Sequence, residues 1–149
     1  METTKKRKVS ETKLVHVHSP IADPIASDSL AHKLIKLATK CTFHAVSEAK
    51  MCRRGVKEVV KSLRKNKRGL VLIAADIMPV ELVAHIPVMC EDRGVPYIYV
   101  ESKEFLGQAA LSKKATTVLM LARPPSGHEL RDKYKALFDA CQEANPYMK

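Results

Sequence analysis

The sequence predicts an α/β protein: a single three-layer α/β/α sandwich with a mixed sheet of about four strands, preceded by a disordered basic N-terminal arm. Three observations carry that expectation. Beyond residue 19 the chain alternates stretches of helical apolar spacing with short, wholly apolar runs, a pattern that builds a parallel or mixed sheet with helices on both faces. Gly69, Gly94 and the Pro124-Pro125 pair fall at the joints between those stretches. Finally, 149 residues at 46% hydrophobic content can bury one proper core. Internal repeats and a linker between two folded units are both absent, so the expected division is residues 1–19 as the arm and 20–149 as the domain.

Residues 1–19 are polar and basic without periodicity, which is why an unfolded arm is expected there. Ser27 or Asp28 can cap a first helix whose apolar positions, Leu30, Leu34, Leu37, Ala38 and Cys41, lie three and four apart. Gly55 opens a second helix in which Val56, Val59, Val60 and Leu63 form one buried stripe. Gly69 closes that unit, and Leu70–Ala75 reads as a strand buried on both faces. Pro79 suits the first turn of the next helix, which is expected to run to Arg93, kink at Pro87 and stop at Gly94. Val95–Val100 is the next strand. Ser102 caps a short helix ending near Ala110, and Thr116–Leu121 is a further strand. Ser126 with Glu129 makes a capping box for a last helix that turns Leu130, Tyr134, Leu137, Phe138 and Cys141 inward.

Charge is the most informative feature for function. Between Lys50 and Arg68 nine basic residues (Lys50, Arg53, Arg54, Lys57, Lys61, Arg64, Lys65, Lys67, Arg68) stand against Glu58 alone, so this stretch holds +8 of the chain's +10. Residues 1–13 add +3, and the remainder sums to −1. A positive field this concentrated is the footprint of a polyanion, because each phosphate neutralised releases counterions; a merely solvated helix face usually mixes both signs. Lys5-Lys6-Arg7-Lys8-Val9 has the composition of a nuclear-import signal, although the same residues could touch RNA phosphates. The longest apolar run, Leu70–Ala75, is too short to span a bilayer, and the basic N-terminus lacks the apolar segment of a secretory signal. Four scattered cysteines (Cys41, Cys52, Cys90, Cys141) with no C-x-x-C read as reduced thiols. His16 and His18 have no matching ligand cluster, so neither a metal nor any other cofactor is expected.

Catalytic signatures are missing: neither phosphate-cradling glycine motif occurs, nor a G-x-S-x-G elbow. Asp76, just past a strand, sits where α/β enzymes often place an acid, yet reads better as a turn or cap residue. His85 reads as a packing residue, and Glu91-Asp92 as an acid pair at a helix end that could mark a partner surface. The binding reading is richer. Gly55 at a helix start lets backbone approach a phosphate, with first-turn N–H groups pointing outward. Lys57 and Lys61 share one helix face with Glu58 between them. A carboxylate within a basic patch suggests that it accepts from base amino groups, the alternative being an ion pair with Lys57 or Lys61. The chain has no Trp and its Phe residues lie outside the basic run, which argues against a stacking platform for single strands.

The string Arg53-Arg54-Gly55-Val56-Lys57-Glu58-Val59-Val60-Lys61, followed by LVLIAADIMPVELVAHIPVMCEDRGVPYIYVESKEFLGQAA at 70–110 and then TTVLML, resembles the ribosomal L-seven-Ae family of kink-turn RNA-binding proteins. The likeness covers most of residues 20–140. Within that family RRGVKEV with PVMCEDRGVPY is similar to the branch of H/ACA ribonucleoprotein subunit 2. The resemblance implies a scaffold without catalysis of its own that holds H/ACA guide RNA beside a dyskerin-type pseudouridine synthase and small H/ACA partner proteins. It implies a nuclear, nucleolar protein, monomeric within a larger complex, serving pseudouridylation and ribosome biogenesis. The alternative within the family is a kink-turn protein of the spliceosomal or box C/D particle, or a ribosomal protein. Matched by position, Arg53, Arg54, Gly55, Lys57, Glu58 and Lys61 fall on the RNA-reading helix and its entry. Met78, Leu82 and Lys103 fall on secondary contacts, and Leu111, Ser112 and Lys113 on the loop that closes over a flipped-out base. Two departures stand out: the family's strongest kink-turn readers have Asn where this chain has Lys57 and Thr where it has Val60. An amide both donates and accepts, whereas an ammonium only donates. Losing one good base contact costs roughly 1–3 kcal/mol of discrimination. The closing loop also looks one residue shorter than in those readers, so salt-sensitive, shape-directed binding with weak sequence specificity is expected.

Overall fold

The computed structural model describes residues 19–44 and 51–148; the Lys5–Lys8 cluster, His16, His18 and Lys50 lie outside them. Five helices and four strands alternate in it: α1 (Asp28–His44), β1 (Cys52–Arg54), α2 (Val56–Arg64), β2 (Gly69–Ala74), α3 (His85–Arg93), β3 (Tyr97–Val100), α4 (Lys103–Ala109), β4 (Val118–Ala122) and α5 (Arg131–Ala144). Short 3₁₀ turns occupy Val80–Leu82 and Pro146–Met148. The sheet is mixed, as expected, in the order β1-β4-β2-β3, with β2 and β3 parallel and the other two pairs antiparallel. All six residues of β2 and all four of β3 are buried. Both faces of the central strands are therefore covered, one by α1, α4 and α5, which pack together, and the other by α2 and α3. Leu34, Leu63, Leu70, Leu72, Ile73, Ile86, Ile98, Leu106 and Leu119 are completely enclosed. Each such side chain contributes roughly 1.5–3 kcal/mol relative to exposure.

The structure corrects several sequence expectations. β1 is an edge strand hidden inside the basic run; Cys52, Arg53 and Arg54 pair with Leu121, Met120 and Leu119. The expected kinked helix from Pro79 to Arg93 is two elements. Pro79 precedes the 3₁₀ turn, and Pro87 stands in the first turn of α3, where a missing N–H breaks no helical bond. Gly94 does end that helix, in the left-handed conformation at φ 65°. The last helix does not open on the expected box at Ser126 and Glu129: α5 begins only at Arg131, and its cap position, Leu130, has no side-chain cap. Of the expected stripe on α2, Val59 and Leu63 are buried, whereas Val56 and Val60 stay half-exposed. His85 is exposed rather than packed.

Ser19 is already part of the packed structure: its N–H donates to the Ala75 carbonyl at 2.6 Å. Ile25 bridges alongside Tyr99 in parallel, so residues 24–26 extend the β3 edge. At the other terminus, buried Asn145 donates from Nδ2 to the Tyr97 carbonyl and accepts the Tyr147 N–H, tying the chain end to β3. Among the described residues no helix is long and apolar enough to cross a membrane.

Candidate nucleic-acid interface

Strand directions alone gather the expected RNA-contacting residues. β1 and β2 run antiparallel to β4, with Arg54 opposite Leu119 and Ile73 opposite Val118. Their C-terminal ends therefore meet the N-terminal end of β4. β3 is parallel to β2, Ala74 beside Val100, so its C-terminal end joins them. Four connections leave the sheet at this one end: Gly55 into α2, residues 75–82 after β2, residues 101–103 into α4, and residues 110–117 before β4. Hydrogen bonds stitch them together. Gly55 N–H donates to the Val118 carbonyl at 3.0 Å and Ala74 N–H to Thr117 at 2.9 Å. Asp76 Oδ1 accepts the Lys103 N–H at 2.9 Å, and the Lys103 carbonyl accepts the Thr116 N–H at 3.1 Å. Asp76 thus serves as the cap residue the sequence suggested.

The basic helix α2 supplies the field. Gly55 enters it at φ 91° and ψ 156°, a region nearly reserved for glycine, and nothing stands within 4 Å of where a side chain would begin. No side chain caps the helix, so its first-turn N–H groups remain without intrahelical acceptors at an open approach. Lys57 and Lys61 are exposed one turn apart. Glu58 pairs with neither: its Oε2 stands 3.8 Å from Nη1 of Arg53, a largely buried side chain on β1. That distance leaves the carboxylate oriented by a guanidinium yet open to a donor from outside. An open groove of about 500 Å³ runs along the helix, floored by Val56 and Val60 and rimmed by Lys57, Lys61, Arg64 and Lys65. The crowding is strong enough to hold the Lys67 ammonium below its ordinary pKa, chiefly through Arg53, with slight burial, Lys65 and Lys61 adding to it. At the far end Arg93 Nη1 donates to the Leu63 carbonyl at 3.0 Å and to Asn66 Oδ1, fastening the last turn of α2 to α3. Sequence reasoning missed both arginine roles, because nothing in the linear order links Arg53 to Glu58 or Arg93 to residue 63.

Exposed apolar side chains edge the same end: Met78 is 61%, Leu82 52% and Leu111 58% accessible. Single exposed apolar residues are ordinary, but three on converging connections mark a contact surface. Leu111 is also strained, at φ 52°. It occupies the left-handed position that ends α4: Leu111 N–H donates to Gln108 and Ser112 N–H to Gly107, the paired bonds of a Schellman end where glycine is usual. Ser112 Oγ then accepts the Lys114 N–H at 3.2 Å, holding the loop that carries exposed Lys113. Gly107 lets this loop fold back, since a Cβ there would lie 2.6 Å from the Lys114 carbonyl oxygen. Lys103 is half-buried at the start of α4. The candidate enzyme residues do not form a site, for Asp76 is engaged with Lys103 N–H and His85 is exposed on α3. The Glu91 end of α3 is engaged internally as well, Oε1 accepting the Tyr97 hydroxyl at 2.7 Å. Among the described residues no three His, Cys, Asp or Glu side chains gather as metal ligands.

Comparison with known proteins matches this arrangement. A family model described as the "Ribosomal protein L7Ae/L30e/S12e/Gadd45 family" matches residues 37–129, and the chain belongs to that family. It is 45% identical over 125 residues to the H/ACA ribonucleoprotein complex subunit 2 of Pongo abelii, covering 84% of this chain and 74% of that one. It is 52% identical over 75 residues to the H/ACA ribonucleoprotein complex subunit nhp2 of Schizosaccharomyces pombe, covering 50% of this chain and 49% of that protein. Its fold superposes on the Giardia lamblia 15.5kD RNA binding protein with a TM-score of 0.73 at 30% identity, over 85% of this chain and 98% of that one.

Proposed function

We infer that the chain is an RNA-binding subunit of an H/ACA ribonucleoprotein, and that it grips RNA at the end of the sheet where α2, the 75–82 connection, the α4 entry and the 110–117 loop converge. The observation that carries this reading is the juxtaposition of a cation-crowded helix start with three exposed apolar side chains on neighbouring connections. Arg54, Lys57 and Lys61 hold phosphates, while Gly55 lets the RNA backbone come close to the first turn of α2. Glu58, steered by Arg53, accepts from a base amino group. Leu111 and Met78 cover an unstacked base, with Leu82, Lys103, Ser112 and Lys113 around it. The relatives' names speak of ribonucleoprotein subunits, and the scaffold role leaves uridine isomerisation to a dyskerin-type synthase held with small partner proteins in the nucleolus. The basic residues before Ser19 act as an arm that adds phosphate contacts or directs nuclear import.

A second reading has support from the 15.5kD RNA binding protein likeness: a kink-turn reader of another particle. Affinities for a plain hairpin and for a kink-turn of equal length separate the two. We expect the preference to stay below about a hundredfold, ~2.7 kcal/mol, with steep salt dependence on both RNAs. A larger kink-turn preference would move the chain to the second reading.

A further inference from the structure

On the face of the sheet opposite α2, a groove of about 570 Å³ runs between α1 and α5, away from every residue assigned above. Its floor is Leu30, Leu37, Ala136, Leu137 and Ala140. Its rim is Lys33, Lys36 and Lys40 from α1 and Lys133 from α5, and no acidic or aromatic side chain lines it. We propose that this groove docks an acidic amphipathic helix of a partner protein.

Geometry and charge together select that occupant. Lys33, Lys36 and Lys40 recur at i, i+3 and i+7, so they stand in one row rising about 10 Å along α1. A helix lying alongside presents carboxylates at the same spacing, and its apolar residues on the adjoining stripe meet the leucine floor. Ala136 and Ala140, one turn apart on α5, leave room for a second backbone to approach. Like charge is already crowded here: Lys133 is the chief cause that holds the Lys40 ammonium below its usual pKa, Lys36 adds to it, and Glu129 opposes it only in part. A carboxylate row removes that repulsion.

The other occupants fit less well. Nucleic acid would satisfy the lysines but leave the aliphatic floor without a base-stacking surface, since none of the lining residues is aromatic. A second copy meeting groove to groove would bring two such lysine rims together within a chain of +10. Residues 1–13, at +3, carry the wrong sign to fill it from within the chain.

The test uses the full chain and a fluorescent 18-residue helical peptide with Glu at i, i+3 and i+7 beside a Leu stripe. A twin peptide with Gln at those positions, and a plain RNA hairpin, serve as comparisons. The expected result is saturable binding of the Glu peptide that weakens at least tenfold for the Gln twin and for the K36E/K40E variant. That variant keeps its hairpin affinity within twofold, and its circular dichroism and melting temperature report that it folds. Both lysines are exposed, so their reversal disturbs no core. Absence of Glu-peptide binding, or binding unaffected by K36E/K40E, overturns the proposal. A tenfold loss of hairpin affinity in K36E/K40E would assign the groove to nucleic acid. Sedimentation showing a wild-type dimer that K36E/K40E dissolves would assign it to a second copy.

Discussion

Leu111 is where fold and proposed function pull against each other, and two substitutions separate them. Its backbone lies at φ 52°, a conformation that costs a non-glycine residue roughly 1–2 kcal/mol. The side chain is 58% exposed, so it recovers less than half of the ~1.5–3 kcal/mol that full burial of a leucine gives. Leu111→Ala keeps the strain and removes the side chain. Leu111→Gly removes both. The two variants therefore share the lost packing, and their difference isolates the backbone: glycine should exceed alanine in unfolding free energy by about 1 kcal/mol. Urea unfolding of both variants reads that difference. If Leu111 covers an RNA base, both should also lose hairpin affinity by a similar factor, roughly fivefold to tenfold for about 1–1.4 kcal/mol of apolar contact. Alanine as stable as glycine would refute the strain, and unchanged affinity in both would remove Leu111 from the RNA surface. A residue kept strained and exposed makes sense when its side chain serves a ligand rather than the core.

Other outcomes follow from the same geometry. Gly55→Ala should destabilise by about 1–3 kcal/mol through its φ of 91° alone, because the added methyl meets open space; chemical denaturation checks this. Gly107→Ala should cost about 1–3 kcal/mol for a different reason, collision with the Lys114 carbonyl, and should displace the closing loop enough to weaken RNA binding as well. Lys61→Ala should weaken all RNAs alike and lower the salt slope by about one, whereas Glu58→Ala should relax RNA preference; equal, sequence-blind effects would reduce Glu58 to a partner of Arg53. Burial raises the thiols of Cys41 to about 11 and of Cys90 and Cys141 to about 12 from an ordinary 9.0. The unfolded chain gives up these protons first, so the stability they confer is complete below pH 9 and falls as pH rises toward 12. The slope is about 1.4 kcal/mol per pH unit for each thiol, and urea midpoints from pH 8 to 11 report it.

Much of the architecture was legible because long apolar runs have few alternatives. Leu70–Ala75, Val95–Val100 and Thr116–Leu121 each hold a strand, and the Leu30, Leu34, Leu37, Ala38, Cys41 spacing holds α1. What escaped lacked a periodic signal. β1 is three residues long and reads as more of the basic run, its strand character coming from pairing with β4 some 65 residues on. The helix expected from Pro79 is broken at Val83, whose backbone leaves the helical region at φ −128° and ψ −1° to close the 3₁₀ turn before α3 starts at His85. The α1–α5 lysines were invisible to a census of charge along the chain, since acids flanking them such as Asp28, Asp132 and Asp139 offset them in the sum and only packing brings Lys133 to Lys40. The residues proposed to hold RNA came to notice through resemblance and local charge. That four separate connections carry them to one sheet end follows from strand direction, which no local pattern encodes.

The central claim is membership of an H/ACA particle through that sheet end. Its most direct test is to recover the tagged chain from its own cells, wild-type beside the K57E/K61E variant, and to sequence the bound RNA. H/ACA guide RNAs should be enriched with wild-type together with a pseudouridine synthase, and the RNA should be lost from the variant. Enrichment of spliceosomal or box C/D RNAs, or RNA retained equally by K57E/K61E, would contradict the account.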